Sequence, residues 1–483
     1  MTDALAVGAR GGGIVILGQA GKLLIQLIAL ATLSRLLSPS DFGLIAMVGV
    51  FTALGETIRD FGMTTIGLQR NELSHHQASN LFWLNTSLGL VAGFMLAIST
   101  PLVAKAYGDD RLWQVVPLLA LTLPINGMSA QLGVQLSRAM RYRASVGTDL
   151  ATQALALTIA VGSALAGAGY WALVLHALAT ATLGLLLRWI TTRWLPAWPQ
   201  RGAGVKRDVR DGMGFGLSAL LQYLTSNIDT YLIGVRWGSS PVGLYDRAFR
   251  LLKLPASSIL GPLTQVVIPT VNRALAEGGK ADPVLLRAQG VVGFIIIWVF
   301  AVTAAVADWL IPFVLGPEWS DAIPLFQVLA IGGAVQVFSN VSYWRFIVSN
   351  LGKQLFYCNV LTKLLSIVLI ALGALVSLKA VAWMVSLGLV LSWPINLIWL
   401  ARTAGQDSWA YFRGGTGLLG AGALAFAVGW AIATYAVVFS EAAAAIAGAT
   451  VSTAVYVGVV ATTRSGRHHM VADFAYFRHA FGR

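Results

Sequence analysis

The chain alternates long apolar runs with short polar interruptions from one end to the other. Stretches of 18 or more mostly apolar residues recur, each long enough to cross roughly 30 Å of hydrocarbon. Their approximate limits are 12–36, 41–64, 80–106, 113–136, 148–167, 169–191, 212–236, 241–270, 286–315, 321–348, 355–377, 379–400, 414–438 and 443–463. Backbone polar groups in lipid have to be satisfied within the segment, so runs of this length are predicted to be helices. The pattern therefore predicts an all-α polytopic membrane protein of about 14 transmembrane helices.

The longest polar interruption, RWLPAWPQRGAGVKRDVRD (193–211), follows six spans, and Pro196 and Pro199 exclude a continuous helix through it. It reads as a linker. A shift of 200 residues brings LLSPSDFGLIAM onto RWGSSPVGLYDR, with Ser40, Gly43 and Leu44 on Ser240, Gly243 and Leu244. A weaker echo pairs YGDDRLWQVVPLL (107–119) with LGPEWSDAIPLF (315–326). Together these predict a duplicated architecture: a six-helix lobe over 1–192, the linker 193–211, and a second six-helix lobe over 212–401. Two additional helices would follow over 402–463, covering a lobe or forming a lateral groove, and a tail over 464–483. Duplicated transporters hold substrate at the repeat interface and alternate access to it by rocking.

Composition agrees with the hydropathy pattern. Of 483 residues, 57% are hydrophobic and 11% charged, against about 25% charged in soluble proteins, and the mean hydropathy is +0.73. The first residues lack a basic stretch ahead of a small-residue cleavage site, so no removable leader is expected. The lone cysteine, Cys358, reads as a small core residue. We find no Walker A loop, zinc-ligand spacing or G-x-S-x-G elbow, so no cofactor, metal or catalytic residue is expected.

The net charge of +13 has two readings, attraction to nucleic acid or retention of Lys and Arg in cytoplasmic loops. With a cytoplasmic N-terminus, 21 of the 33 basic residues fall in cytoplasmic segments, 8 on the opposite side and 4 inside spans. That bias supports the membrane reading, with no nucleic-acid partner and both termini cytoplasmic.

A charge at membrane depth costs at least about 2.5–3.5 kcal/mol on insertion scales, which makes each one a functional candidate. The candidates are Lys22, Glu56, Arg59, Asp60, Asp229, Arg247, Arg250, Lys253, Arg345 and Lys363, seven basic and three acidic. The basic excess suits an anionic passenger such as a diphosphate head group, which Arg can grip with paired donors. Lys22, Arg59, Arg250, Lys253, Arg345 and Lys363 are the expected substrate cations. Arg247, Arg250 and Lys253 share one side of a helix within reach of the interface, where snorkelling is the competing reading. Glu56, Asp60 and Asp229 are the expected gating or ion-coupling residues, with Glu56 and Arg59 spaced for an intrahelical pair. Trp298, Trp344, Trp383 and Trp393 lie away from span ends, where packing competes with stacking on sugar rings.

The segment LSRLLSPSDFGLIAMVGVFTALGETIRDFGMTTIGLQRNELSHHQASNLFWLNTSLGL (33–90) resembles bacterial polysaccharide flippases. These form the Wzx-like, colanic-acid-exporter-type branch of the multidrug/oligosaccharidyl-lipid/polysaccharide exporter superfamily. The matching features are S-P-x-D-F-G-L after the first span, Asp60-x-Gly62 near the end of the second, then LQR, FWLN and the later PVGLYDRAFRLLKLP (241–255). The resemblance implies two six-helix lobes in a V around a cationic cavity. It also implies a polyprenyl-diphosphate-linked oligosaccharide as substrate, turned from the cytoplasmic to the periplasmic leaflet of a bacterial inner membrane for surface polysaccharide synthesis. H+ or Na+ coupling, membrane lipids, a polysaccharide polymerase and a chain-length regulator are the further partners it implies. An ion-coupled multidrug or peptidoglycan-precursor exporter of the same superfamily is the alternative. A membrane glycosyltransferase would need a large extramembrane loop, and the longest internal one here is the 193–211 linker.

Overall fold

A computed structural model describes residues 2–60, 74–200, 220, 222–223, 226–435 and 440–462, with 2–12, 15 and 16 described by backbone alone. Among the described residues every regular element is helical. In chain order these are α1 (Thr2–Leu36), α2 (Pro39–Asp60), α3 (His75–Ile98), α4 (Thr100–Tyr107), α5 (Leu112–Ala120), α6 (Thr122–Arg138), α7 (Tyr142–Leu165) and α8 (Trp171–Thr192). After a helical stretch at 226–237 come α9 (Ser239–Ala276), α10 (Ala281–Ala305), α11 (Ala307–Leu315) and a 3₁₀ turn (Pro317–Ala322). The last are α12 (Ile323–Val348), α13 (Gly352–Ala374), α14 (Leu378–Ala404), α15 (Ser408–Tyr435) and α16 (Glu441–Thr462).

Thirteen helical segments among the described residues are long and apolar enough to cross a membrane. The first part of the span expected over 212–236 lies outside the described residues, as do most of the linker and the whole 464–483 tail. The chain is a multi-pass, all-α membrane protein.

Three expected spans are broken, and proline chemistry explains two of the breaks directly. The span expected over 80–106 divides into α3 and α4 because Pro101 has no N–H for the Ala97 carbonyl one turn earlier. Thr100 Oγ1 donates to that carbonyl instead, at 2.7 Å. The span expected over 113–136 divides at Leu121, where Pro124 cannot serve Ala120 and Thr122 Oγ1 donates to Leu119 O at 2.6 Å. The span expected over 286–315 breaks at Val306 into α10 and α11.

The S-P-x-D motif is a helix start. Ser38 Oγ accepts from the Asp41 N–H at 3.3 Å, and the Asp41 carboxylate accepts from the Ser38 N–H at 2.9 Å. This reciprocal capping box, with Pro39 at the first helical position, satisfies donors that the first turn of α2 leaves unpaired.

The chain divides into two compact units, Met1–Gly243 and Leu244–Arg483. In the first, α3 packs on α6, α7 on α8 and α1, and α2 on α3. In the second, α12 packs on α14, α13 on α14, and α10 on α12 and α15. The two C-terminal helices pack on each other and against α10, so they cover that helix. A shared motif recurs in both units: a long helix, a short proline-containing helix, a glycine at positive φ (Gly108 at 66°, Gly316 at 112°), an acidic turn and another helix. The weaker of the two internal sequence echoes maps onto this motif.

Candidate functional site: charged networks within the membrane helices

The charged residues within the spans fall into separate networks. On α2, Arg59 is buried and reaches back one turn to Glu56, with Nη2 at 2.7 Å and Nε at 2.8 Å from Oε2. The sequence spacing anticipates this pair, but its surroundings come from other helices. Asn126 of α6 donates to Glu56 Oε1 at 2.6 Å, and Arg59 Nη1 donates to Asn85 Oδ1 of α3 at 3.3 Å. Gly127 makes this convergence feasible. A Cβ there would stand 2.6 Å from the Asn85 carbonyl oxygen, so only glycine lets the α3 and α6 backbones come this close. Asp60, at the end of α2, is half-buried and engaged with neighbouring groups.

Lys22 of α1 belongs to a second network. Its Nζ lies 2.6 Å from Asp149 Oδ2 on α7, and the other oxygen of Asp149 accepts from Arg188 Nη2 of α8 at 3.1 Å. Arg188 Nη1 donates to Ser129 Oγ of α6 at 3.0 Å. One carboxylate thus serves two cations on two helices. Sequence reasoning missed Asp149 and counted Arg188 only among the cytoplasmic basic residues. An acid within an apolar run was the available signal.

Asp229, in the 226–237 stretch, is 5% exposed, and its Oδ1 accepts from the Thr230 N–H at 2.8 Å.

In the second unit, α9 carries Arg247, Arg250 and Lys253. The helix continues through Pro255, Pro262 and Pro269. The three cations do not behave as one stripe. Arg247 is 8% exposed, whereas Arg250 and Lys253 are exposed. Asp246, another residue the sequence reading passed over, accepts from Arg250 Nε at 2.7 Å and lies 4.0 Å from Arg247 Nε. Lys253 Nζ sits 4.6 Å from the centre of the Phe249 ring, a cation–π arrangement. Lys363 of α13 is half-buried, near enough to Lys253 for the two like charges to interact, and it has no hydrogen bond or ion pair among the described residues.

Arg345 of α12 pairs with Asp282 at the start of α10, Nε to Oδ1 3.5 Å, and the Tyr411 hydroxyl donates to the same Oδ1 at 3.1 Å. Gln289 Nε2 donates to the Tyr411 carbonyl at 2.8 Å, tying α10 to α15. Among the four deeper tryptophans, Trp344 is fully buried and donates to Thr264 Oγ1 at 2.9 Å. Trp393 is packed between Phe338 and Phe412, with centroids at 4.7 and 5.4 Å. Both are packing residues. Trp298 and Trp383 keep more exposure, at 37% and 51%. No group of three or more His, Cys, Asp or Glu is arranged to hold a metal among the described residues.

This chemistry divides the candidates. Lys22, Arg59 and Arg345 are each neutralised by a carboxylate on the same or a neighbouring helix. Arg250 keeps its terminal amino groups without hydrogen bonds among the described residues, and Lys363 has no acid. The groups with uncommitted donors thus lie on α9 and α13.

Comparison with known proteins identifies the family. Residues 32–324, more than half of the chain, match the profile of a family described as polysaccharide biosynthesis protein. The teichuronic acid biosynthesis protein TuaB of Bacillus subtilis (strain 168) is 26% identical over 81% of this chain and 81% of its own length. The lipopolysaccharide biosynthesis protein WzxC of Escherichia coli (strain K12) is 24% identical over 65% of this chain and 64% of its own. The succinoglycan biosynthesis transport protein ExoT of Rhizobium meliloti (strain 1021) is 21% identical over 68% and 66%. Matches to the latter two thus span just under two thirds of those relatives. Among solved structures, the lipid II flippase MurJ in an inward closed conformation superimposes with a TM-score of 0.73 at 10% identity, over 92% of this chain and 98% of that one. An inward-facing MATE family multidrug transporter gives 0.57 at 14% identity, over 81% and 95%. At these identities the two structures establish a shared fold. The sequence match extends through the broken α3–α6 region and α9 to the start of α12, and the chain belongs to the polysaccharide biosynthesis protein family.

Proposed function

We propose that this protein is a flippase, moving a polyprenyl-diphosphate-linked oligosaccharide from the cytoplasmic to the periplasmic leaflet of a bacterial inner membrane for surface polysaccharide synthesis. Family membership is the observation that carries the reading. Relatives named for teichuronic acid, lipopolysaccharide and succinoglycan biosynthesis, one of them as a transport protein, support it. The charge chemistry supports it too, because cations with uncommitted donors in membrane helices suit an anionic diphosphate.

Arg250, Lys253 and Lys363 are the residues we assign to the diphosphate. Lys22, Arg59 and Arg345, each neutralised by a carboxylate, are assigned to contacts made as the site changes shape, with Glu56, Asp60 and Asp229 as gating or ion-coupling groups. Residues 1–192 and 212–401 would act as the two moving bodies, joined by 193–211, with both termini cytoplasmic. The protein is a transporter in this reading and performs no catalysis itself. H+ or Na+ would drive it, and a polymerase and chain-length regulator would consume its product.

The test is flipping of a fluorescent lipid-linked oligosaccharide in proteoliposomes. The wild-type protein should deliver it to the opposite leaflet, and Lys363→Ala with Arg250→Ala should lose at least about tenfold in rate while inserting normally. Equal rates in wild-type and variant vesicles would overturn the diphosphate assignment. Movement of lipid II but of no polysaccharide precursor would overturn the substrate class.

A further inference from the structure

A groove of about 420 Å³ lies between α13 and α14, within the second unit. Its walls are Leu361, Ile395 and Ile398, and Gln354, Trp399 and Arg402 close one end. Both helices are membrane spans, and the short 375–377 connection makes them antiparallel neighbours. The first turn of α13 and the last turn of α14 therefore meet at the same end, which is the polar end of the groove.

The back of the groove is firm. Cys358 and Leu400 are fully buried with Phe346, and Ile395 and Trp399 pack against that cluster. The front is open, with Leu361 at 48% and Ile398 at 54% exposure. At the polar end, the Trp399 indole N–H donates to Gln354 Oε1 at 3.0 Å, which holds the amide by its oxygen and leaves its –NH₂ group as a donor. Arg402 carries no ion pair or hydrogen bond among the described residues, and neither does Lys353, one residue from Gln354. The nearest acid along the chain, Asp407, is engaged as the cap of α15 through the Ala410 N–H at 3.1 Å.

We propose that this groove is a binding site for an anionic phospholipid, with the phosphodiester held by Arg402, Lys353 and the Gln354 amide and one acyl chain laid along Leu361, Ile395 and Ile398. Charge complementarity decides the headgroup. Arg402 and the Gln354 amide line the polar end of the groove, Lys353 is one residue from Gln354, and this end lies at the termini of two membrane spans, where lipid phosphates reside; a guanidinium binds phosphate with paired donors. Length decides the tail. From Gln354 to Leu361, and again from Ile395 to Arg402, the helices rise roughly 10 Å, less than one leaflet of a ~30 Å hydrocarbon core. That track fits the upper part of an acyl chain and is short for a polyprenyl chain. The site is separate from the diphosphate residues assigned above and does not depend on that assignment.

The experiment is native mass spectrometry of the full chain released from mixed micelles containing phosphatidylglycerol and phosphatidylcholine. The wild-type protein should retain phosphatidylglycerol about tenfold over phosphatidylcholine. Arg402→Ala with Lys353→Ala should abolish that preference, and Ile398→Trp, which fills the groove, should lower retention of both lipids. Arg413→Ala removes an exposed cation on α15, outside the groove, and should leave the preference intact. Equal retention of the two lipids by the wild type would overturn the proposal, as would an unchanged preference in the double variant. Loss of preference in Arg413→Ala equal to that in Arg402→Ala would reduce the effect to general surface charge. Displacement of phosphatidylglycerol by inorganic diphosphate, with Ile398→Trp without effect, would leave an anion site with no lipid component.

Discussion

Ser40 Oγ and Ser239 Oγ lie 2.9 Å apart, and Arg111 Nη2 donates to both, at 3.1 and 3.0 Å. The start of α2 is thereby fastened to the start of α9, 199 residues later in the chain. Two glycines permit the approach. A Cβ on Gly43 would collide with the Ser239 carbonyl oxygen, and one on Gly243 would collide with the Pro39 carbonyl oxygen. The S-P-x-D-F-G-L motif therefore does two jobs in one turn: Ser38 and Asp41 cap the helix, and Gly43 clears space for a second helix end.

A cysteine pair at Ser40 and Ser239 should form a disulfide on mild oxidation. Transport should stop when it forms and recover on reduction if the two helix ends separate during the cycle. Gly43→Ala should impair export strongly. Gly49→Ala, six residues on in the same helix with nothing within 4 Å of its Cβ, should be neutral or stabilising by up to about 1 kcal/mol. Equal behaviour of the two alanine variants would show that the glycine contact is unimportant.

Arg59→Ala should destabilise the protein more than Arg59→Ala combined with Glu56→Ala. The single change leaves a half-buried carboxylate with only Asn126 for support, whereas the double change removes both charges. Deleting one partner of a buried pair costs about 3–5 kcal/mol, and the partial exposure of Glu56, at 29% of its side chain, places this pair below that range. Thermal unfolding in detergent measures the difference. Additive losses would argue against a coupled pair.

Asp149→Asn should be more damaging than Lys22→Met. The first leaves two cations, Lys22 and Arg188, without their shared acid, while the second leaves the Asp149–Arg188 pair in place. Expression level in membranes and melting temperature provide the comparison. A milder effect of Asp149→Asn would mean that the carboxylate is not the centre of this network.

Asp109, in the turn after α4, ties acid stability to Arg111. Its carboxylate accepts from Arg111 Nη2 at 2.7 Å and from Arg111 Nε at 3.0 Å, and these bonds hold it below the usual carboxylate range against the opposing effect of burial. The folded state keeps this group ionised to lower pH than the unfolded chain does. Its stabilising contribution is therefore present at neutral pH and is lost as pH falls through the lowered value. Asp109→Asn should flatten the acid limb of a melting-temperature profile and leave its alkaline side unchanged. An unaltered acid limb would refute the linkage.

Much of the fold is legible without tertiary information, because a lipid-spanning helix is dictated by length and apolar content alone. The start of α2 can be read from Ser38, Pro39 and Asp41, since capping is local chemistry. The Glu56–Arg59 and Asp246–Arg250 pairs follow from spacings of three and four residues on one helix. Proline positions could also have warned of the broken spans, but the apolar runs 80–106 and 113–136 are long enough to read as single spans through Pro101 and Pro124.

The partners on other helices are a different matter. Asp149 between Lys22 and Arg188, Asn85 beside Arg59, and Asp282 beneath Arg345 and Tyr411 depend on which helix faces meet. In water an apolar stripe marks the face a helix buries. In a bilayer the lipid is as apolar as the protein interior, so that stripe disappears and the sequence holds no comparable marker of the packed face. Sequence alone determined the helices, their caps and the pairs within them. The helix packing of each unit decided which charges are neutralised and which, like Lys363, are not.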